Sequence, residues 1–227
     1  MVYGKASPHE RTQNLMQTSR HSQPLPPRAA QENTVPDTPS PCDVMDHLAR
    51  RYSVGPKYLA LPAPSEAELL RACRVALRAP DHGGLRPFRF VAISAEQRER
   101  LGELFAADAQ SRGRNEVEVE QARSRAHNGP GLVALIGRVQ PEVDDVPELE
   151  QWLAVGAGLM NFLNALHLMG YGAKVLSGLS VQAPQVQSAF CAPGEQLLSW
   201  IVVGTPTRST HPKHEDNETE IFSHWPG

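Results

Sequence analysis

The sequence has few cysteines, little net charge and no long apolar run. Its three cysteines, Cys42, Cys73 and Cys191, form no CxxC pair, which excludes a zinc ribbon and a disulfide scaffold and favours a reducing, cytoplasmic compartment. The 25 acidic residues slightly outnumber the 22 basic ones, which argues against binding nucleic acid through its phosphates. No stretch approaches about 18 uncharged apolar residues, so no membrane-spanning helix is expected.

The composition, with 40% hydrophobic residues in 227, supports one domain plus a tail, or two very small domains. Residues 1–40 are rich in proline, glutamine and serine and have only scattered large apolar side chains. Such a segment cannot offset an ordering cost of about 1–2 kcal/mol per residue. We therefore expect a disordered tail at 1–40, a folded domain at 41–208 and an extension at 209–227.

Capping boxes mark the predicted helix starts. The three helices expected from them are a short one after Ser40-Pro41-Cys42-Asp43 that ends at Arg50-Arg51, one from Ser65 that Pro80 closes, and one from Ser94 and Gln97 through Phe105. A charged, weakly periodic run follows from Asp108 to Arg125.

Short apolar runs predict strands at 88–93, 132–139, 173–176 and 197–203, with a helix near 181–190 between the last two. This order of elements predicts an α+β domain with a sheet of three to five strands wrapped by helices.

The longest helical signal extends from Glu148 to Met169, and Gly170 is expected to end it. From Trp152 onward its apolar residues cover every face. A helix that is apolar all round should be buried on all sides. In so small a domain, this is achieved most easily if a second subunit covers part of the helix.

Two basic segments are candidates for ligand binding. The turn from Arg78 to Phe90 contains two glycines and two prolines, and Arg78, His82 and Arg89 are donors suited to phosphate or ring carbonyls. The alternative is a structural turn with solvated basic groups. In the segment 50–53, two arginines and a hydroxyl can bind a phosphate, or the arginines can simply complement the helix dipole.

Other catalytic and binding motifs are missing. No GxSxG motif surrounds Ser177 or Ser180, and neither GxGxxG nor a P-loop occurs. The run from His211 to Asp216 has metal-ligand residue types but no second cluster at matching spacing, so a solvated tail and no metal site are expected.

Several motifs together resemble the nitroreductase family, and most of all its compact bacterial NAD(P)H nitroreductase subgroup. The resemblance covers about 41–208. The motifs that carry it are Arg51-Tyr52-Ser53, the Pro80-Asp81-His82 turn with Pro87-Phe88-Arg89-Phe90, the long apolar helix, Gly170-Tyr171-Gly172, Val175-Leu176-Ser177-Gly178 and Gly204-Thr205-Pro206.

The resemblance implies an α+β, nitroreductase-like fold with a central mixed or antiparallel sheet, in an intertwined homodimer that holds FMN in two sites at the subunit interface. Arg51, Tyr52 and Ser53 would hold the phosphate and ribityl chain, where Arg50 can also take part. Arg78 and His82 would reach the flavin from the other subunit. The backbone of Val175, Leu176 and Ser177 would line the ring, and Arg208 matches a basic residue near the phosphate. The segment associated with nicotinamide comprises Ala165, Leu166, His167, Leu168, Met169 and Gly170.

The activity implied is hydride transfer from NAD(P)H through FMN to a small flat acceptor, such as a nitroaromatic or quinone, by a ping-pong mechanism. No dedicated catalytic side chain is expected, because the flavin performs the hydride chemistry. The region Asp108–Gly129 is expected to set acceptor choice. The alternatives are a non-catalytic flavin-binding module for storage or redox sensing, and a flavin-modifying or dehalogenating enzyme. Neither a nucleic-acid nor a membrane partner is expected.

Overall fold

The structure, a computed structural model, describes residues 41–208 and 217–226. The expected disordered tail at 1–40 and the histidine-containing run at 211–216 lie outside the described residues. The domain limits therefore stay a prediction.

Six α-helices and five strands form the described part of the chain. The helices are α1 (Pro41–Ala49), α2 (Glu66–Ala76), α3 (Ala95–Ser111), α4 (Glu116–Ser124), α5 (Glu148–Leu168) and α6 (Pro184–Phe190). The strands are β1 (Leu59–Ala60), β2 (Phe88–Ala92), β3 (Gly131–Gly137), β4 (Gly172–Leu176) and β5 (Gln196–Pro206).

The five strands form one sheet in the order β1-β5-β3-β2, and β4 also pairs with β5. All of these strand pairs are antiparallel. The long strand β5 organises the sheet, because β3, β4 and β1 all pair along it. The α+β class and the central sheet predicted from the sequence are confirmed.

Both faces of the sheet are covered, and each has its own apolar core. On one face, α2 and α5 pack over Phe88, Leu135 and Ile201. On the other face, the core includes Ile136 and Trp200 together with residues of α3, α4 and α6. Alternate residues of each strand supply the two cores, as the two-residue period of a strand requires.

The predicted helix starts at Ser65 and Ser94 are confirmed. At Ser65 the capping box is complete: the Glu68 N–H donates to the serine hydroxyl and the Ser65 N–H donates to the Glu68 carboxylate. Gly170 ends α5 as expected, with a φ of +87° that favours glycine.

The charged run after Phe105 was interpreted as weakly periodic, but most of it is helical. Helix α3 continues to Ser111, and α4 begins after Asn115 with its own capping box. The helix from Ser94 was expected to end at Phe105, which is six residues before its observed end. The run was not assigned to helices because charges lie close to the apolar positions of both segments and weaken the period. Strand β1 was not predicted, since two residues are too short to show a pattern.

Helix α5 is not buried on all sides by its own chain. Leu149 is 70% exposed, Leu153 65% and Met160 39%, and the exposed Gly156 lies between them. Because these residues are three or four positions apart, they lie on one face of the helix, which we call the α5 stripe. The other faces contact the sheet and α2. None of the helices in the described residues is long and apolar enough to cross a membrane.

Gly158 allows α5 to approach the sheet closely. A Cβ there would lie between 2.4 and 2.9 Å from three ring atoms of Phe88. Gly158→Ala is therefore expected to lower the free energy of unfolding by about 1–3 kcal/mol through overpacking, as measured by chemical denaturation. The control is Gly55→Ala, where the added Cβ would meet only Tyr58 at an ordinary contact distance of 3.7 Å and stability should stay equal or rise. Equal stability of the two variants would contradict this account of the contact.

Candidate functional site

One end of β4 brings together the basic and hydroxyl groups of the first predicted cluster. Ser53 forms a parallel bridge with Ala173, and the Val54 N–H donates to the Ala173 carbonyl at 3.0 Å. Ser53 is exposed and Arg51 is half-buried, whereas Arg50 is exposed at the end of α1. Arg51 is close enough to His167 to lower the pKa of its imidazole. The half-buried Tyr52 completes the segment.

Arg208 lies at the same end of the sheet because β1 pairs with the last residues of β5. The Thr207 N–H donates to the Tyr58 carbonyl at 2.9 Å, and the Arg208 guanidinium carbon lies 3.3 Å from the centroid of the Tyr58 ring. Lys57 also contacts this ring, with its Nζ at 4.9 Å from the centroid. A hydrogen bond with Lys57, together with the charge of Arg208, lowers the pKa of Tyr58.

Tyr58 and Lys57 were not among the predicted site residues, although Tyr58 contacts Arg208 and Lys57 contacts Tyr58. The signal was the Lys57-Tyr58 pair that follows Arg51-Tyr52-Ser53 after a few residues. We call the resulting set of Arg51, Ser53, Lys57 and Arg208 the basic cluster.

The predicted flavin-ring segment lies further along β4. Val175 and Leu176 are half-buried residues of the strand, and the exposed Ser177 follows it. One edge of β4 pairs with β5, and on the other edge Ala173 pairs with Ser53. Beyond this bridge, no strand among the described residues pairs with that second edge. The free edge therefore presents backbone N–H and C=O groups that a planar heterocycle can bind.

The second basic segment, the turn between α2 and β2, is held by the Asp81 carboxylate. It accepts hydrogen bonds from the Leu85 N–H at 3.1 Å and the Arg86 N–H at 2.8 Å. Gly83 and Gly84 have φ values of +74° and +65°, which explains the glycine pair at this tight turn. The turn is thus structurally fixed as well as basic.

Arg78 and His82 both project from this turn and are exposed. His82 Nδ1 lies 2.9 Å from a carboxylate oxygen of Glu150, near the start of α5, so Nδ1 donates and Nε2 remains accessible. Arg78 lines an open cavity of about 400 Å³ together with Arg86 and Phe88.

Arg89, the third candidate donor in this segment, is not free for a ligand because it is engaged within the fold. Its guanidinium forms two hydrogen bonds with the Glu195 carboxylate, at 2.5 and 2.7 Å, and a third with the Phe190 carbonyl at 2.7 Å. Mainly through these hydrogen bonds, Arg89 lowers the pKa of Glu195 to about 2. The Arg89 side chain therefore links β2 to the loop before β5. The spacing of residues in the sequence does not indicate such a contact between distant segments.

The two basic segments lie near opposite ends of α5. His82 contacts Glu150 in the first turn of the helix, whereas Arg51 lies close to His167 in its last turn. At a rise of roughly 1.5 Å per residue, these helix positions are about 26 Å apart. Within one chain, the structure does not bring Arg78 and His82 to the basic cluster.

The segment 165–170, predicted to bind nicotinamide, is the C-terminal end of α5. Ala165 and Leu166 are buried in the core against α2 and the sheet, so their side chains face the interior. Leu168 is exposed, and Met169 is half-buried. His167 stacks on His47 with ring centroids 4.6 Å apart, and its Nε2 donates to the His47 carbonyl at 2.9 Å.

Desolvation lowers the pKa of His167 below its usual value of 6.5, and the charges of His47 and Arg51 act in the same direction. Because the folded state binds this proton less well than the unfolded state, stability should be complete above pH 6.5 and fall as the pH drops below it. Replacing His167 by glutamine should flatten this part of the profile, measured by urea unfolding between pH 5 and 8. An unaltered slope in His167→Gln would refute the assignment.

No group of three or more potential metal ligands occurs among residues 41–208 and 217–226. The donors at the site are instead guanidinium, ammonium, hydroxyl and backbone groups, which suit a phosphate and a polar ring.

Comparison with known proteins agrees with the fold. Residues 48–205 match the model of the nitroreductase family. The Escherichia coli K12 protein "Putative NAD(P)H nitroreductase YdjA" is 29% identical over 165 residues, which cover 72% of this chain and 88% of that protein.

Solved structures show the same fold. A nitroreductase-like family protein from Bacillus cereus superposes with a TM-score of 0.68 at 18% identity, covering 81% of this chain and 96% of the other. A protein from Desulfovibrio desulfuricans named "putative nitroreductase", solved in complex with FMN, gives a TM-score of 0.60 at 18% identity and covers 84% of this chain and 99% of the other.

Proposed function

The chain belongs to the nitroreductase family, and on this premise we propose that it is an FMN-dependent oxidoreductase that transfers electrons from NAD(P)H to a small flat acceptor. The observation that carries the proposal is the placement of the basic cluster at one end of the free edge of β4. Two similar proteins support it, since one is named for NAD(P)H and the other was solved with FMN.

The residues present fit FMN. Arg51, Ser53 and Arg208 supply charged and hydroxyl donors for a phosphate, with the geometry that a guanidinium offers to phosphate oxygens. Ser177 is about 13 Å further along the strand than Ala173, at roughly 3.3 Å per residue. A phosphate held at one end therefore places the ring beside the backbone of 175–177.

A second subunit would complete this site. The α5 stripe is an exposed apolar surface on a helix whose two ends carry the two different halves of the site. If two copies of α5 pack antiparallel about a two-fold axis, the start of each helix lies beside the end of the other. Arg78 and His82 of one subunit would then reach the flavin held by the basic cluster of the other.

With a nitroaromatic acceptor, each two-electron cycle would convert one nitro group, one NAD(P)H and one proton to a nitroso group, NAD(P)⁺ and water. Bound FMN would supply the chemistry of accepting the hydride and passing on its electrons. The basic cluster would hold the phosphate, and the backbone of β4 would orient the ring. Positive charge from Arg78 would stabilise the negative charge that develops on a reduced ring, and Glu150 orients His82 for the same contact.

Absorbance of the purified protein, followed by anaerobic addition of NADH or NADPH, tests the proposal. We expect a flavin band near about 450 nm, typical of the cofactor class, that bleaches on addition of the donor and returns with a nitroaromatic or quinone. A bound flavin that the donor does not reduce would contradict the reductase and favour a flavin-binding module. No flavin after reconstitution with FMN would contradict both.

A further inference from the structure

Reduction of a nitro group consumes a proton, which needs a donor at the site. Two electrons and one hydrogen arrive together as a hydride, one N–O bond breaks, and the oxygen leaves as water with the hydride hydrogen and one further proton. The guanidinium groups of Arg51, Arg78 and Arg208 cannot supply this proton, because arginine does not give up its proton in proteins. The donor is therefore water or a different side chain that reaches the ring.

The pair of His82 and Glu150 has the form of a proton donor with its orienting group. Nδ1 of His82 lies 2.9 Å from Oε2 of Glu150, so the carboxylate accepts the Nδ1 proton and Nε2 is left for another partner. A carboxylate in this position fixes the tautomer and the orientation of an imidazole and stabilises the imidazolium. Histidine is also the residue that most often serves as a general acid in enzymes.

The turn that carries His82 is fixed against the start of α5. Within the turn, the Asp81 carboxylate accepts two backbone N–H groups. Gly83 lies so close to Val146 that a Cβ on the glycine would be 3.2 Å from a methyl carbon of the valine. Val146 is buried just before α5, whose first turn carries Glu150. The imidazole and its carboxylate therefore lie on one rigid corner of the fold, as a preorganised general acid requires.

The other carboxylates near this corner are engaged elsewhere. Both Asp81 oxygens accept backbone N–H groups, and Oε1 of Glu148 accepts the indole N–H of Trp152 at 2.9 Å. In the single chain, the side chains of His82 and Glu150 are 59% and 47% exposed. An ion pair this exposed contributes little to stability, and a ligand or water can reach its outer nitrogen.

We propose that His82 is a catalytic residue that donates a proton from Nε2 to the nitro group of the acceptor, and that Glu150 is the positioning residue that holds its ring. This rests on the proposed function, in which His82 of one subunit reaches the flavin held by the other. The acceptor then lies between the ring along β4 and Nε2. The Nε2–H bond breaks as an O–H bond forms on the departing nitro oxygen, Nδ1 keeps its proton on Glu150, and solvent returns a proton to Nε2.

Reoxidation of the flavin-loaded protein, measured by stopped flow, tests the donor. FMN is first reduced with stoichiometric dithionite, so NAD(P)H takes no part, and the return of the flavin absorbance is followed with nitrobenzene or with ferricyanide. Ferricyanide accepts a single electron and no proton. His82→Gln should slow reoxidation by nitrobenzene about a hundredfold and leave reoxidation by ferricyanide unchanged. Glu150→Gln should cause a smaller loss, again with nitrobenzene only.

Glu148→Gln is the matched control, because its carboxylate lies in the same helical turn and contacts Trp152 rather than His82. It should behave as the wild type with both acceptors. If His82→Gln is as fast as the wild type with nitrobenzene, or loses rate equally with both acceptors, the proposal is overturned.

Heteronuclear NMR of the imidazole nitrogens gives a readout that needs no turnover. The neutral ring of His82 should carry its proton on Nδ1 in the wild type and in Glu148→Gln, and Glu150→Ala should remove this preference. A neutral ring protonated on Nε2 in the wild type would overturn the proposal. Failure of NAD(P)H to reduce the wild type would instead refute the proposed reductase, while the dithionite experiment and the tautomer would still decide the role of His82.

Discussion

Replacing Leu153 with arginine is expected to convert the proposed dimer into folded monomers that hold almost no flavin. Leu153 lies in the middle of the α5 stripe and is 65% exposed in the single chain, so an arginine there is solvated in the monomer and does not disturb the core. Because a two-fold interface contains this residue from both subunits, the substitution removes the apolar burial of two leucines and places two charges in the interface. The dimer dissociation constant should rise roughly a thousandfold or more.

Sedimentation equilibrium and the flavin-to-protein absorbance ratio measure both effects on the same sample, and circular dichroism checks the fold. Val117→Arg is the matched control, because Val117 is 66% exposed on α4, away from the stripe. This control should remain dimeric and yellow. A dimeric, flavin-loaded Leu153→Arg protein would show that the stripe is not the interface.

Replacing Arg51 with alanine is expected to raise the dissociation constant of FMN by about ten- to a hundredfold, because a charge-assisted hydrogen bond to phosphate is lost. Arg51 is half-buried and its charge acts on His167, whereas the neighbouring Arg50 is exposed at the end of α1. Arg51→Lys keeps the charge without the planar fork and should give an intermediate value.

FMN titration of the flavin-stripped protein, followed by fluorescence, gives these constants. Arg50→Ala is the control of the same residue type and should bind FMN as tightly as the wild type. If Arg50→Ala weakens binding and Arg51→Ala does not, the phosphate assignment is off by one residue. If neither does, the basic cluster is not the phosphate site.

Local sequence signals predicted much of the fold. The capping box at Ser65, the glycine after α5 and the apolar runs of the sheet all act within a few residues, and the structure has each of them. Contacts between distant segments were not predictable in this way. Arg89 and Glu195 are more than a hundred positions apart, so nothing near Arg89 indicated that its guanidinium is engaged.

The candidate site was likewise predictable in part, because some of its contacts join distant segments. The resemblance selected Arg51, Ser53 and Arg208, and the structure places them at one end of β4, but the role of Tyr58 under Arg208 depends on how β1 pairs with β5. The pattern of α5 predicted burial on all sides. Which face its own chain leaves open depends on packing against α2 and the sheet, which only the fold reveals.

The central claim is that each flavin site is built from two chains, and flavin content in a mixed dimer tests it most directly. Arg51→Ala and Arg78→Ala chains with different tags are co-expressed, and the mixed dimer is isolated through both tags. One of its sites then carries both changes and the other neither, so we predict about half of the wild-type flavin content while either variant alone is flavin-poor. If each site were built within one chain, the mixed dimer would hold no more flavin than its parents, and that result would contradict the account.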